Sequence, residues 1–129
     1  KKEGVILNMS SVLGYSPSPK YFTTHAYAAA KSAVIGFSKS IASYYAKDNI
    51  RINVIAPSLF STPMARRATE DQEILEFIKT KQPLDGGRPG NSEDINNAVL
   101  MFLHPQSKFI TGQVLAVDGG WSISEGQYQ

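Results

Sequence analysis

Tyr27 and Lys31 sit four residues apart where a long helix-forming run begins, Thr24-His-Ala-Tyr-Ala-Ala-Ala-Lys31. On a helix this spacing puts a phenol and an ammonium on one face, a turn apart. A free phenol titrates at about pH 10, too high to exchange protons readily near neutrality. A neighbouring positive charge stabilises the phenolate and makes the phenol a better acid. The pair is therefore a candidate proton donor and acceptor for carbonyl and alcohol chemistry. Of the six tyrosines in the chain, Tyr27 is the one with a lysine at the fourth position after it. An apolar, strand-like run ends in Ser10-Ser11 just upstream, so a strand-end hydroxyl is available to meet the phenol.

The elements that must position these groups follow from hydrophobic periodicity. Residues 5–9 form a short, nearly continuous apolar run after Gly4, which is how a strand buried on both faces reads. Residues 10–24, with Gly14, Pro17 and Pro19, read as a loop. Residues 25–46 read as a helix. Ala30, Val34, Phe37, Ile41 and Tyr45 are its expected buried stripe. Ala29, Ala33, Gly36, Ser40 and Ser43 form a small-residue stripe suited to helix packing within the domain or between subunits. Residues 51–56 are a second strand, stopped by Pro57. Residues 58–68 read as a loop and 69–81 as a helix, with Ile74, Phe77 and Ile78 on its apolar face and its charges ordered for the helix dipole. A glycine- and proline-rich loop spans 83–90. Ser92 is the expected N-cap of a helix carrying Ile95, Ala98, Val99, Phe102 and Leu103, ended by Pro105. Residues 114–117 are a third buried strand, followed by the Asp118-Gly119-Gly120 turn.

Strands alternating with helices imply a parallel sheet with helical crossovers. Three strands are few for such a sheet, and an edge strand needs covering. The chain opens on Lys1-Lys2-Glu3-Gly4 without a methionine. The expectation is that the other half of the sheet lies outside this sequence.

Composition narrows the function. The 129 residues are 42% hydrophobic, enough for one core, and the formal net charge is +2 with no basic stripe. Neither nucleic-acid nor membrane-surface binding has an electrostatic signature here. No segment approaches the roughly 18 apolar residues of a spanning helix. Cysteine is absent, so disulfides and thiolate metal sites are excluded, which fits a reducing, cytoplasmic setting. No His/Asp/Glu cluster has metal spacing, and no Gly-x-Ser-x-Gly elbow marks a serine hydrolase. His25 reads as a helix-start residue and His104 as a solvated helix end. Trp121 reads as packing near the C-terminus or a subunit contact.

Ligands of parallel α/β sheets bind beyond the carboxyl ends of the strands. Here those ends are Ser10-Ser11, Pro57 to Thr62 and Asp118 to Trp121. Asn8-Met-Ser-Ser11, Tyr27-Ala-Ala-Ala-Lys31, Arg51-Ile-Asn-Val-Ile-Ala-Pro57, Ser61-Thr-Pro-Met64 and Gly112-Gln-Val-Leu-Ala-Val-Asp-Gly-Gly120 occur in order. Together they resemble the C-terminal half of a compact short-chain dehydrogenase/reductase, over almost the whole chain. The resemblance implies an α/β fold, the C-terminal half of a Rossmann-type doubly wound parallel sheet, with residues 1–129 as one partial domain. It implies NAD or NADP as cofactor and a small-molecule carbonyl or alcohol as substrate. It makes Ser11 the substrate-orienting hydroxyl and Tyr27 the acid/base. Lys31 becomes the partner of both Tyr27 and the nicotinamide ribose. Tyr27, Lys31, Pro57, Ser58, Phe60 and Thr62 become cofactor contacts, and residues 63–90 the variable substrate lid.

Departures from the family pattern carry expectations of their own. No glycine-rich phosphate-binding turn occurs anywhere in the sequence, so this chain alone is expected neither to bind dinucleotide well nor to turn over. Ser58 stands where the family has glycine, and Phe60 where a small aliphatic is common. The interval from Ser11 to Tyr27 is a few residues longer than usual, which leaves Ser10 as an alternative, although the paired serines after Asn8 favour Ser11. Thr62 reads equally as the N-cap of a short helix. The other readings are a non-catalytic, truncated interaction module of the same fold and, disfavoured by the Val-Asp-Gly-Gly ending, a lyase or epimerase of the extended branch. A homodimer or homotetramer is expected from the small-residue helix face and the C-terminal strand.

Overall fold

The computed structural model describes residues 3–126, so Lys1 and Lys2 at the charged start lie outside the described residues. Three parallel strands run in the order β1-β2-β3: β1 Gly4–Met9, β2 Ile50–Pro57 and β3 Val114–Val117. Asn8 aligns with Val54 on one side of β2, and Val54 with Val114 on the other. Paired residues share a sheet face, and alternate residues take opposite faces.

That alternation separates the helices. Asn8 points to the face covered by α1, His25–Tyr45, where its Nδ2 donates to Ser38 Oγ at 2.9 Å. Arg51 and Asn53 point the other way. The Arg51 guanidinium donates to His104 O and Ile110 O, at the end of α4, Glu93–Leu103. The sheet is thus wound on both faces. β2 is its buried centre, from Ile52 to Ala56, and Asn53 is buried there with both ends of its amide hydrogen-bonded. The Asn53 Nδ2 donates to Ile110 O at 3.1 Å, and its Oδ1 accepts from Gln113 N–H at 3.0 Å, which also ties β2 to the start of β3.

α1 packs on a different face from the one the apolar pattern suggests. Its buried residues are Ser38 and Ala42, while Phe37 is 61% exposed and Ala30 and Tyr45 are exposed as well. Small residues and the Asn8–Ser38 bond allow the helix close against the sheet, so the larger residues turn outward. The small-residue stripe of Ala29, Ala33, Gly36, Ser40 and Ser43 is exposed, with open space around Gly36.

The 10–24 and 58–68 loops contain turns of 3₁₀ helix, Val12–Gly14 and Pro63–Ala65, and the second leads into α2, Arg66–Thr69. α3, Gln72–Lys81, starts three residues later than the expected 69–81 because Asp71 caps it: Asp71 Oδ1 accepts from Ile74 N–H at 3.2 Å. Ile74 and Ile78 join Val12, Ala56, Leu59, Ala68 and Trp121 in the core, with Tyr21, Phe22 and Phe77 packed around them.

At α4 the Ser92 hydroxyl makes no cap bond. Asn91 and Asp94 replace it: Asn91 Oδ1 accepts from Glu93 N–H, and Asp94 Oδ2 accepts from Asn91 N–H. Asp94 also grips Arg88 by both oxygens, at 2.7 and 2.9 Å, while Arg88 Nε donates to Asp85 at 2.7 Å. A bidentate guanidinium–carboxylate pair fixes geometry as well as charge, so the 83–90 loop is fastened to α4.

The Arg88 guanidinium, and then the Asn91 amide, hold the Asp94 carboxyl below its ordinary value of 3.8, at about 2. A carboxyl depressed in the folded state stabilises the fold fully above its unfolded value and loses that contribution as pH falls through the folded one. Asp94→Asn should therefore flatten the fall in Tm between pH 4 and pH 2, read by thermal unfolding across that range.

Candidate active site

The end of β1 and the second turn of α1 are fastened in both directions. Ser10 Oγ donates to Lys31 O at 2.6 Å, and Lys31 Nζ donates to Met9 O at 3.3 Å. Ser10 N–H continues the ladder onto Ile55 O at 2.8 Å. Gly14 brings the following turn against the helix: a Cβ there would lie 3.1 Å from Ser32 N, and Ser32 Oγ donates to Gly14 O.

This junction separates the two serines chemically. The Ser10 hydroxyl proton is committed to a backbone carbonyl. Ser11 caps the Val12–Gly14 turn as an acceptor, from Leu13 N–H at 3.1 Å, and keeps its own O–H. The Lys31 ammonium lies 5.6 Å from the centre of the Tyr27 ring, within cation–π range, one helical turn along. Tyr27 is 39% exposed.

Ser10, Ser11, Tyr27 and Lys31 line one cavity of about 480 Å³ together with Pro57, Ser58, Phe60 and Thr62. The seven site residues expected from the sequence, and the alternative serine Ser10, therefore meet at a single concave surface beyond the strand ends. Thr62 sits at the N-cap position of the Pro63–Ala65 turn, yet its side chain makes no cap bond. Ser58 Oγ is buried and has no hydrogen-bond partner. A buried orphan hydroxyl calls for a ligand atom or a water to complete it, so the loop fits a polar cofactor group at this position. Among the described residues no cluster of His, Cys, Asp or Glu could hold a metal ion, and no helix is long and apolar enough to cross a membrane.

Leu13 and Phe22 also line the cavity, without a sequence signal, as do Met64 and Arg67 from the expected 63–90 lid. Trp121 packs here rather than on a free surface. It is buried, its Nε1 donates to Ser16 O at 3.0 Å, and Phe22 and Phe77 meet it edge-on. Gln82 was also missed. It is 2% exposed, and its amide accepts from Leu59 N–H and donates to Leu59 O and Arg88 O. It pins the loop after β2 onto the 83–90 loop, where Phe60 bridges to Gly90 and a Cβ on Gly90 would lie 2.7 Å from the Phe60 ring. A polar residue near a helix end reads as surface, so no sequence signal marked it.

The family described as Enoyl-(Acyl carrier protein) reductase matches residues 1–122, and the chain belongs to the short-chain dehydrogenase/reductase family. It is 42% identical to the 3-oxoacyl-(acyl-carrier-protein) reductase FabG of Chlamydia muridarum over 119 residues, which are 92% of this chain and 45% of that protein. It is 31% identical to a gluconate 5-dehydrogenase from Burkholderia cenocepacia in complex with NADP and tartrate, with a TM-score of 0.86 over 93% of this chain and 45% of that one. A 4-hydroxyisoleucine dehydrogenase mutant complexed with NADH and succinate is 32% identical, with a TM-score of 0.84 over 93% of this chain and 47% of that one. The chain spans under half the length of these relatives.

Replacing Gln82 by leucine strands two backbone groups, Leu59 N–H and Arg88 O, while Leu59 O keeps its bond from Gly90 N–H. At about 1–3 kcal/mol for each buried group left unpaired, Gln82→Leu should lower stability by at least about 2 kcal/mol in urea unfolding.

Proposed function

We propose that this chain is the catalytic part of an NAD- or NADP-dependent oxidoreductase that interconverts a ketone and a secondary alcohol. The observation that carries this reading is the meeting of Ser11, Tyr27 and Lys31 at one cavity, with the competing hydroxyl of Ser10 already committed to the Lys31 carbonyl. Membership of the family supports it.

When bound, the dinucleotide supplies or accepts the hydride. As the carbonyl carbon gains hydride, negative charge develops on its oxygen. The free O–H of Ser11 is available to hydrogen-bond that oxygen, and fixed donors aimed at developing charge lower the barrier. Tyr27 gives its phenolic proton to the same oxygen, completing the alcohol. The phenolate left behind is held beside the Lys31 ammonium until solvent returns the proton. Alcohol oxidation runs these steps in reverse. Two Lys31 N–H groups remain beyond the one on Met9 O, available to a ribose hydroxyl. Pro57, Ser58, Phe60 and Thr62 would line the nicotinamide side, with the orphan Ser58 hydroxyl as a polar contact. The NADP- and NADH-bound relatives support either carrier.

The same reading makes residues 1–129 one part of a larger sheet. β1 pairs with β2 on one side, and Val5, Ile6 and Met9 leave apolar surface exposed along it. An edge of this kind suits a further strand. The exposed small-residue face of α1, with Phe37 beside it, suits a second subunit in a homodimer or homotetramer.

Tyr27→Phe in the full-length enzyme should lower kcat by about 10²–10⁴-fold, the usual worth of a positioned acid/base, with dinucleotide binding retained. Absorbance of the reduced cofactor during turnover reads it, and a parental rate in the variant would sink the assignment. Light scattering on the same enzyme should give a dimer or tetramer, and a monomer would overturn the α1 contact.

A further inference from the structure

We propose that the substrate of this site carries a carboxylate and that Arg67 binds it. The inference rests on the oxidoreductase reading for the reacting carbon and adds the substrate's chemical class.

Arg67 stands on α2 and lines the same cavity as Tyr27 and Ser11. Two contacts hold its side chain. Arg67 Nη2 donates to Tyr21 O at 3.2 Å, and its guanidinium carbon lies 5.8 Å from the centre of the Phe22 ring. One of its five N–H donors is thereby engaged, which leaves a guanidinium edge for a ligand. Among the described residues no carboxylate pairs with it, whereas the adjacent Arg66 pairs with Glu70.

The remaining lining sharpens the point. Lys31 and Arg67 are the charged residues of the cavity wall, and no aspartate or glutamate lines it. Lys31 is already directed at Met9 O and the Tyr27 ring. Arg67 has no such part in proton transfer. Leu13, Phe22, Met64 and Trp121 give the body of a ligand an apolar wall. Arg67 is solvent-exposed at the cavity rim, so water serves its free N–H groups until a ligand displaces it. A carboxylate matches its planar fork with charge-assisted hydrogen bonds. A site built around such a bond rejects the analogue lacking the charge.

The test compares 4-oxopentanoate with methyl 4-oxopentanoate, the same ketone with its charge masked, in ligand-observed NMR titrations of the intact protein. The acid should bind about two- to fivefold tighter than the ester, the usual worth of an ion pair at an exposed guanidinium. Arg67→Met should bring the acid to the level of the ester and leave the ester unchanged. Arg67→Lys should keep part of the preference, and added salt should narrow it. Wild type that binds the two alike, or neither, would overturn the proposal, as would a preference that survives Arg67→Met. Circular dichroism checks that each variant is folded. The Tyr27→Phe turnover assay stands apart: full activity there removes the oxidoreductase reading and leaves the charge preference to be read on its own.

Discussion

The site depends on two hydrogen bonds running in opposite directions between the end of β1 and the second turn of α1. Ser10 gives a proton to a carbonyl of the helix, and Lys31 of the helix gives one to the last carbonyl of the strand. Each satisfies a backbone group that the regular element leaves with spare capacity. Together they set the rotation and the height of α1 against the sheet. Ser11 and Tyr27 belong to different elements, sixteen positions apart in the chain, and this joint is what lets them face one space. Lys31 thereby serves two ends: its carbonyl and its ammonium each hold the joint, and the ammonium also sits over the phenol ring.

A second brace works from below. The loop after β2 has no helix or strand of its own before Pro63, yet three contacts hold it: the Gln82 amide, the Phe60–Gly90 bridge and the hydrogen bond from Ser61 N–H to Gly90 O. The 83–90 loop that receives them is anchored in turn by Arg88 to the start of α4. Rigid support passes from the far helix, through one guanidinium and one buried amide, to the wall where a cofactor would lie. Groups positioned to react tolerate little slack.

Much of this was legible in the residues, for identifiable reasons. Continuous apolar runs mark strands, and β1, β2 and β3 fall within a residue of where those runs lie, but only β2 is buried as expected: β1 and β3 flank it and leave Val5, Ile6, Met9 and Leu115 exposed. The Tyr27/Lys31 spacing carries its geometry with it, because a helix turn is a fixed length. What was hidden depended on three-dimensional competition. α1 has apolar residues on several sides, so periodicity alone could not say which side the sheet would choose; Asn8, a polar residue inside a strand, decided it by needing Ser38. The Ser92 cap lost to Asn91 and Asp94 because Arg88, distant in space until folded, organises that corner. Arg67 lay in a stretch without periodicity, and Gln82 looked like any polar residue near a helix end.

Among the described residues β1 is an edge strand. Its free flank presents backbone donors and acceptors beside Val5, Ile6 and Met9, with no charged side chain or proline along Gly4–Met9 to block a stray strand. Such a flank recruits other chains as readily as its proper neighbour. Production of this sequence by itself is therefore a contest between folding and aggregation, and refolding yield should fall steeply as protein concentration rises.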